Sequence, residues 1–221
     1  MNSSFFENCA FVCVDLQEGE QGPPVTEETM PKSWRENGFS PEDINAANDY
    51  LHLVCLPNAA RVAEFCLQRG MPRIFIHWGY LFEDGMDLDP KVRQEFLNQY
   101  GTDYSKWPHH LSHSSSRPHK SLGVQGGDYV LPKSAQDAFT SCNLEFVLRN
   151  LEIENIVFVG GHTGACLGKT AASAKKLGFK ILCVEDATCD ARESARIPNI
   201  VSVGYDYVVG TEELLAALDQ K

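Results

Sequence analysis

No stretch of this sequence is apolar for long enough to cross a bilayer as a helix. Positive charge is scarce. The chain has 19 Lys and Arg against 30 Asp and Glu, a formal net charge of −11. That balance argues against the basic patches that nucleic acids and anionic membranes need, so neither is an expected partner. Cys-x-x-Cys is absent. The 8 cysteines are scattered, several within apolar segments, a pattern of reduced buried thiols and not of a disulfide framework. The opening residues, Met1 to Asn8, lack the basic and apolar regions of a signal peptide, and a cytoplasmic location is expected. Internal repeats and domain boundaries are also missing. A length of 221 residues suits one domain with a substantial core, spanning 1–221.

What the chain does contain is alternation. Cys9 to Val14 is a continuous apolar run ending at Asp15, which reads as a central strand buried on both faces. Gly19 to Glu42 reads as an irregular connection. A helix is expected from Leu56-Pro57, closed by Gly70. Strands follow at Arg73–Trp78, Asp128–Leu131, Ile156–Val159, Ile181–Val184 and Tyr205–Val209. Helices are expected at Lys91–Tyr100, Asn143–Asn150, Cys166–Leu177 and Glu212–Leu218. Strands alternating with helices predict an α/β fold of three layers, α/β/α, with a mainly parallel central sheet and right-handed crossovers. Residues 79–127 form a long excursion, poor in apolar runs, that is expected to lie over a pocket like a lid. Its His109, His110, His113 and His119 fit no familiar ligand spacing, and no metal site is expected there.

The organising stretch is Ile156 to Thr170. A strand breaks at Gly160-Gly161, and Cys166 then stands where a helix begins. A thiol at a helix start feels unpaired N–H groups and the positive dipole end, which favour thiolate and can receive an oxyanion. Two other readings compete. A cysteine of this kind is often only a small buried residue. Gly168-Lys169-Thr170 has the ending of a phosphate-binding loop, which would make this a nucleotide-binding protein, but that loop's first glycine falls on Thr163.

Asp15, Lys133 and Cys166 each follow a predicted strand, and the carboxyl ends of parallel strands share one edge. An acid to take the thiol proton and an ammonium to hold both charges make a coherent set. With these residues in view, the sequence resembles the isochorismatase-like cysteine hydrolases, among them nicotinamidase, N-carbamoylsarcosine amidohydrolase and ureide hydrolases. Asp15-Leu16-Gln17 is similar to that family's Asp-x-Gln. Lys133, followed by Ala138-Phe139, is similar to its lysine and Ala-Phe. Gly161-His162-Thr163-Gly164-Ala165-Cys166 resembles its Gly-x-Thr-x-x-Cys turn, and Asp186-Ala187 its later Asp-Ala.

The resemblance implies a Rossmann-like fold and hydrolysis of an amide or ureide C–N bond through a Cys166 thioester, with Asp15 and Lys133 completing a catalytic triad. It implies a cis bond between Gly161 and His162, an oxyanion held by the turn at Gly161, His162 and Cys166, no cofactor, and a homo-oligomer, dimer or tetramer. The metal-binding Asp-x-His pair of the nicotinamidase branch is missing after strand two, where the chain reads His77-Trp78-Gly79-Tyr80, so no metal is expected. Candidate substrate contacts are Gln17, His77, Trp78, Tyr80, Trp107 and His162. Isochorismate hydrolysis, a vinyl-ether cleavage, is the alternative reaction. It needs no covalent cysteine, and Cys166 therefore favours C–N cleavage.

Overall fold

The computed structural model describes residues 3–19 and 22–219. Met1, Asn2 and the Glu20-Gln21 step of the expected irregular connection lie outside the described residues, as does the end of the chain beyond 219. The first strand, β1 (Cys9–Val14), is buried along its whole length. A short helix α1 (Lys32–Glu36) precedes α2 (Pro41–Tyr50), which Ser40 caps by accepting from the Asp43 N–H. The helix expected to begin at Leu56-Pro57 does not start afresh there, because α2 continues into it. Helix α2 runs through a π-helical turn, Leu51–Cys55, straight into α3 (Leu56–Gln68). Pro57 sits in the first turn of α3, and the π turn absorbs the register break there.

Strand β2 (Arg73–Trp78) follows, then α4 (Pro90–Tyr100) within the excursion, and β3 (Tyr129–Lys133). Next come α5 (Ala138–Ser141), α6 (Leu144–Asn150), β4 (Asn155–Gly160), α7 (Cys166–Lys176) and β5 (Lys180–Thr188). Helix α8 (Glu193–Val203), β6 (Tyr207–Val209) and α9 (Thr211–Asp219) complete the order. The sequence pattern concealed α8 because Pro198 lies inside it. Strand β5 is longer than Ile181–Val184 because its pairing with β4 shifts register after Phe158 and resumes at Gly160 opposite Thr188.

All strand pairs are parallel, in the order β3-β2-β1-β4-β5-β6. β3 is an edge strand, which is why Pro132 is tolerated in it. Alternation along β1 divides the core. Cys9, Phe11 and Cys13 pack with α3 and with Leu214 of α9, whereas Ala10, Val12 and Val14 pack with Leu144 and Leu148 of α6 and with Leu167 and Ala171 of α7. Each large side chain buried this way contributes about 1.5–3 kcal/mol. The result is the three-layer α/β arrangement expected from the sequence, with a wholly parallel sheet. Among the described residues, no helix is long and apolar enough to cross a membrane.

Candidate functional site

The strand order reverses direction between β1 and β4. A crevice forms outside the carboxyl ends at such a switch point, and three side chains reach it by separate routes. Asp15 is the first residue after β1. Its φ of +54° is a left-handed conformation that Asp tolerates better than most residues, and its N–H donates to the Ile76 carbonyl at 2.9 Å. Lys133 ends β3 opposite Trp78 in the register. Its side chain is fully buried, with Nζ 2.8 Å from Asp15 Oδ2 and 4.1 Å from the centroid of the Trp78 ring. Cys166 opens α7, and its thiol interacts with both Asp15 and Lys133.

This ion pair is close but not aligned as a hydrogen bond. Lys133 Nζ and Asp15 Oδ1 are both buried and lack an aligned partner. Buried polar groups are nearly always satisfied, so two open valences beside a thiol stand out. Burial raises the Cys166 thiol most, the Asp15 charge adds to that and Lys133 opposes both, leaving the thiol pushed up to about 12. This balance favours the thiol form of Cys166 near neutral pH. This corrects the expectation that the helix start alone favours thiolate: desolvation and the adjacent carboxylate outweigh it.

The turn before Cys166 is built by close approach. At Gly160 (φ +109°) a Cβ would lie 2.0 Å from the Val14 carbonyl oxygen, and one at Gly168 would lie 2.0 Å from that of Thr163. The Gly161–His162 peptide bond is cis. Most N–H groups of the turn are committed. Gly161 donates to the Val14 carbonyl, Thr163 to that of Cys189, Gly164 to Asp190 Oδ2 and Ala165 to the His162 carbonyl, at 2.8, 2.9, 2.7 and 3.0 Å. The N–H groups of His162 and Cys166 take no acceptor among the described residues.

Asp190 is the residue that sequence reasoning missed. Its Oδ2 accepts from Thr163 Oγ1 at 2.7 Å, from the Gly164 N–H at 2.7 Å and from Asn199 Nδ2 at 3.1 Å. Burial works against its charge, yet these bonds and nearby His162 outweigh burial and hold the carboxyl below its ordinary range. The available signal was a second acid shortly beyond Asp186. Asp186 itself, at the Asp-Ala motif, lies inside β5 and accepts from the Thr211 N–H and hydroxyl at the start of α9.

A cavity of about 420 Å³ opens on Asp15 and Cys166. Trp78 and His162 line it, with His162 exposed at its mouth. Gln17 lines it too, but its amide is already spent. Oε1 accepts from the Trp78 N–H at 2.8 Å, and Nε2 donates to the carbonyls of Trp78 and Ser115 at 3.0 and 2.7 Å. Gln17 thus ties β1 to β2 and to the excursion. His77, Tyr80 and Trp107 do not line the cavity. His77 alternates with Trp78 along β2 and takes the other face, where burial pushes its imidazole down. Tyr80 and Trp107 are buried with Leu88 in a small core of their own, against which the partly buried Phe96 packs on its way to the cavity wall, and Trp107 Nε1 donates to the Gly101 carbonyl. His109, passed over in the sequence, does line the cavity, with Nδ1 3.2 Å from the Ser115 carbonyl and its pKa lowered chiefly by burial. Gly168-Lys169-Thr170 lies within α7, not in a loop. Gly168 admits the Thr163 carbonyl, Lys169 bonds Gln136, and Thr170 Oγ1 accepts from the Ala138 N–H. Packing explains all three residues, leaving no phosphate cradle.

Comparison with known proteins gives the family of this fold. The chain is 30% identical over 135 residues to the isochorismatase family protein YwoC of Bacillus subtilis, covering 60% of this chain and 65% of that one. It is 38% identical over 67 residues to the ureidoacrylate amidohydrolase RutB of Agrobacterium fabrum, covering 30% of this chain and 29% of that one. The matches thus span less than two thirds of either relative. The solved structure of an isochorismatase family protein from Burkholderia thailandensis superposes with a TM-score of 0.68 at 25% identity, over 99% of this chain and 97% of that one. The isochorismatase domain model matches residues 9–197, most of the chain, and the protein therefore belongs to the isochorismatase family.

Proposed function

We propose that this protein is a cysteine hydrolase that cleaves an amide- or ureide-type C–N bond of a small molecule through a thioester on Cys166. One observation carries the reading: Cys166 and Asp15 meet on one cavity with Lys133 buried directly behind Asp15, and Asp15 Oδ1 and Lys133 Nζ lack aligned partners. The amidohydrolase name of RutB supports the reaction class.

In this scheme Asp15 takes the Cys166 proton as sulfur adds to the substrate carbonyl carbon. The carbonyl oxygen becomes an oxyanion, received by the uncommitted N–H groups of His162 and Cys166. Lys133 stays protonated and balances the charge that passes between Asp15 and sulfur. The C–N bond then breaks and Asp15 gives its proton to the departing nitrogen, releasing ammonia or an amine. A water molecule gives a proton to Asp15 and its oxygen attacks the thioester. The C–S bond breaks, the acid leaves, and Asp15 returns the proton to sulfur. No cofactor enters this cycle. Residues 79–127 supply Val92, Phe96, Pro108, His109 and His119 to the cavity wall, which supports reading the excursion as its roof within one hydrolase domain. A cytoplasmic homo-oligomer remains part of the proposal.

The test is Cys166→Ala. Turnover of a panel of amides and ureides should fall by at least about a thousandfold, and intact mass of the native protein under slow turnover should show an acyl adduct on Cys166. Full activity in the variant would overturn the covalent step and leave vinyl-ether hydrolysis as the reading to pursue.

A further inference from the structure

The cavity carries a message about what fills it. Its only charged lining residue among those described, apart from histidines, is Asp15. Lining Arg and Lys are absent. Two lysines stand behind the lining: Lys133, behind Asp15, is engaged by that carboxylate and by the Trp78 face, and Lys169 is engaged by Gln136. Much of the apolar lining comes from two stretches. Leu51 opens the π-helical turn that joins α2 to α3 and Leu56 follows it at the start of α3, while Val92 and Phe96 lie one turn apart on α4. A π turn is rare and is often found at functional sites; here it brings Leu51 and His52 to the cavity.

Much of the polar lining is already paired. Gln17 is spent on backbone, Gln136 accepts from Lys169, His109 Nδ1 faces the Ser115 carbonyl, and His119 Nδ1 faces Ser121 Oγ at 2.8 Å. A carboxylate entering this space would lose its hydration, meet no lysine or arginine among the described lining residues, and face Asp15. The chain's formal charge of −11 works in the same direction.

We infer that the substrate portion held in the cavity is uncharged and apolar, selected by Leu51, Leu56, Val92 and Phe96, and that carboxylate-bearing amides and ureides are rejected. This rests on the C–N hydrolase reading and narrows it. It also separates the chain from RutB, whose named substrate, ureidoacrylate, is an acid.

Two matched pairs test the inference at pH 8, where an ordinary histidine is neutral. One is 4-methylpentanamide against succinamate, the other isopentylurea against 3-ureidopropionate; in each, an isopropyl group replaces a carboxylate of similar shape. Release of ammonia should favour the uncharged member by at least about 100-fold in kcat/KM. Val92→Arg and Leu51→Arg, on separate elements, should each narrow that ratio by about tenfold or more by supplying the missing cation. Binding to Cys166→Ala, followed by calorimetry, separates the two levels. Cleavage favouring the carboxylate, or showing no preference, overturns the inference and keeps the hydrolase. Preferential binding of the uncharged member with no cleavage by native protein sustains the inference and removes the hydrolase. If no compound binds or reacts, both fall.

Discussion

Two buried ion pairs sit at opposite ends of the same strands. At the beginning of β2, Arg73 meets Asp128, with side chains 1% and 7% exposed. At the carboxyl rim, Lys133 meets Asp15, with side chains 0% and 13% exposed. The first pair is saturated. Arg73 Nε donates to Asp128 Oδ1 at 2.9 Å, Nη2 donates to Oδ2 and to the Gly123 carbonyl, and Nη1 donates to the Ala63 carbonyl. The second leaves an ammonium and a carboxylate oxygen without aligned partners, next to a thiol and a cavity. Both pairs bear the cost of burying charge. Only the saturated one compensates that cost within the fold, and the other leaves open the bonding capacity that the proposed chemistry would use. Satisfaction, and not burial or charge, distinguishes a pair that holds the protein together from one available for chemistry.

The largest expected effect breaks the comparison open. Arg73→Met should cost about 3–5 kcal/mol of stability, because it strands the buried Asp128 carboxylate, while kcat/KM of the protein that remains folded stays within about threefold. Asp15→Asn should do the reverse: a smaller stability loss, since that side chain borders the cavity, and a fall of at least about a thousandfold in kcat/KM. Urea denaturation and turnover measured on the same preparations check both halves. Equal stability losses, or a comparable catalytic loss in Arg73→Met, would erase the distinction.

The rim was legible in the sequence because local rules converge there. An apolar run ending in Asp15, a Gly-Gly break and a helix beginning at Cys166 each announce themselves within a few residues, and parallel topology brings the strand ends together. Lys133 was found by the same logic, although it closes β3 instead of following it. What stayed hidden depends on contacts distant in sequence. Asp190 serves Thr163 and Gly164 only because β5 returns beneath the turn. Tyr80 and Trp107 look like pocket aromatics in a list of residues, yet they pack with Phe96 in a core of their own. The π turn has no sequence period to reveal it, and Pro198 disguises α8. Gln17 was visible as a motif residue, but that its amide is spent on Trp78 and Ser115 required the fold.

A second prediction sharpens the comparison on its electrostatic side. The Asp15 charge raises the Cys166 thiol and Lys133 lowers it, with burial the largest cause of its position near 12. Asp15→Asn should therefore move the thiol down, and Lys133→Met should move it up. Well below the pKa, each unit changes the thiolate fraction tenfold. Iodoacetamide should consequently label Cys166 faster in Asp15→Asn than in native protein, and slower in Lys133→Met. Thiolate absorbance followed against pH, with Cys166→Ala as the blank, gives the same ordering independently. No difference among the three proteins would mean that the rim pair does not act on the sulfur.

The smallest expected effect concerns Asp190, which resembles the saturated pair in its bonding but belongs to the rim. Its folded carboxyl lies below the ordinary range, against burial, because Thr163, Gly164 and Asn199 donate to it. A group depressed in this way binds fewer protons folded than unfolded, so stability rises with pH between its folded value and the unfolded value of about 3.9. The contribution is complete above that unfolded value and is lost as pH falls through the folded one. Asp190→Asn should cost about 1 kcal/mol at pH 7, a modest figure because the carboxylate is only partly buried and water screens it. The gap between native and variant should shrink as pH falls below about 3.9, where the unfolded carboxyl takes up a proton that the folded one resists. A gap that widens in acid would show that Asp190 steadies the turn through its shape and not through its charge.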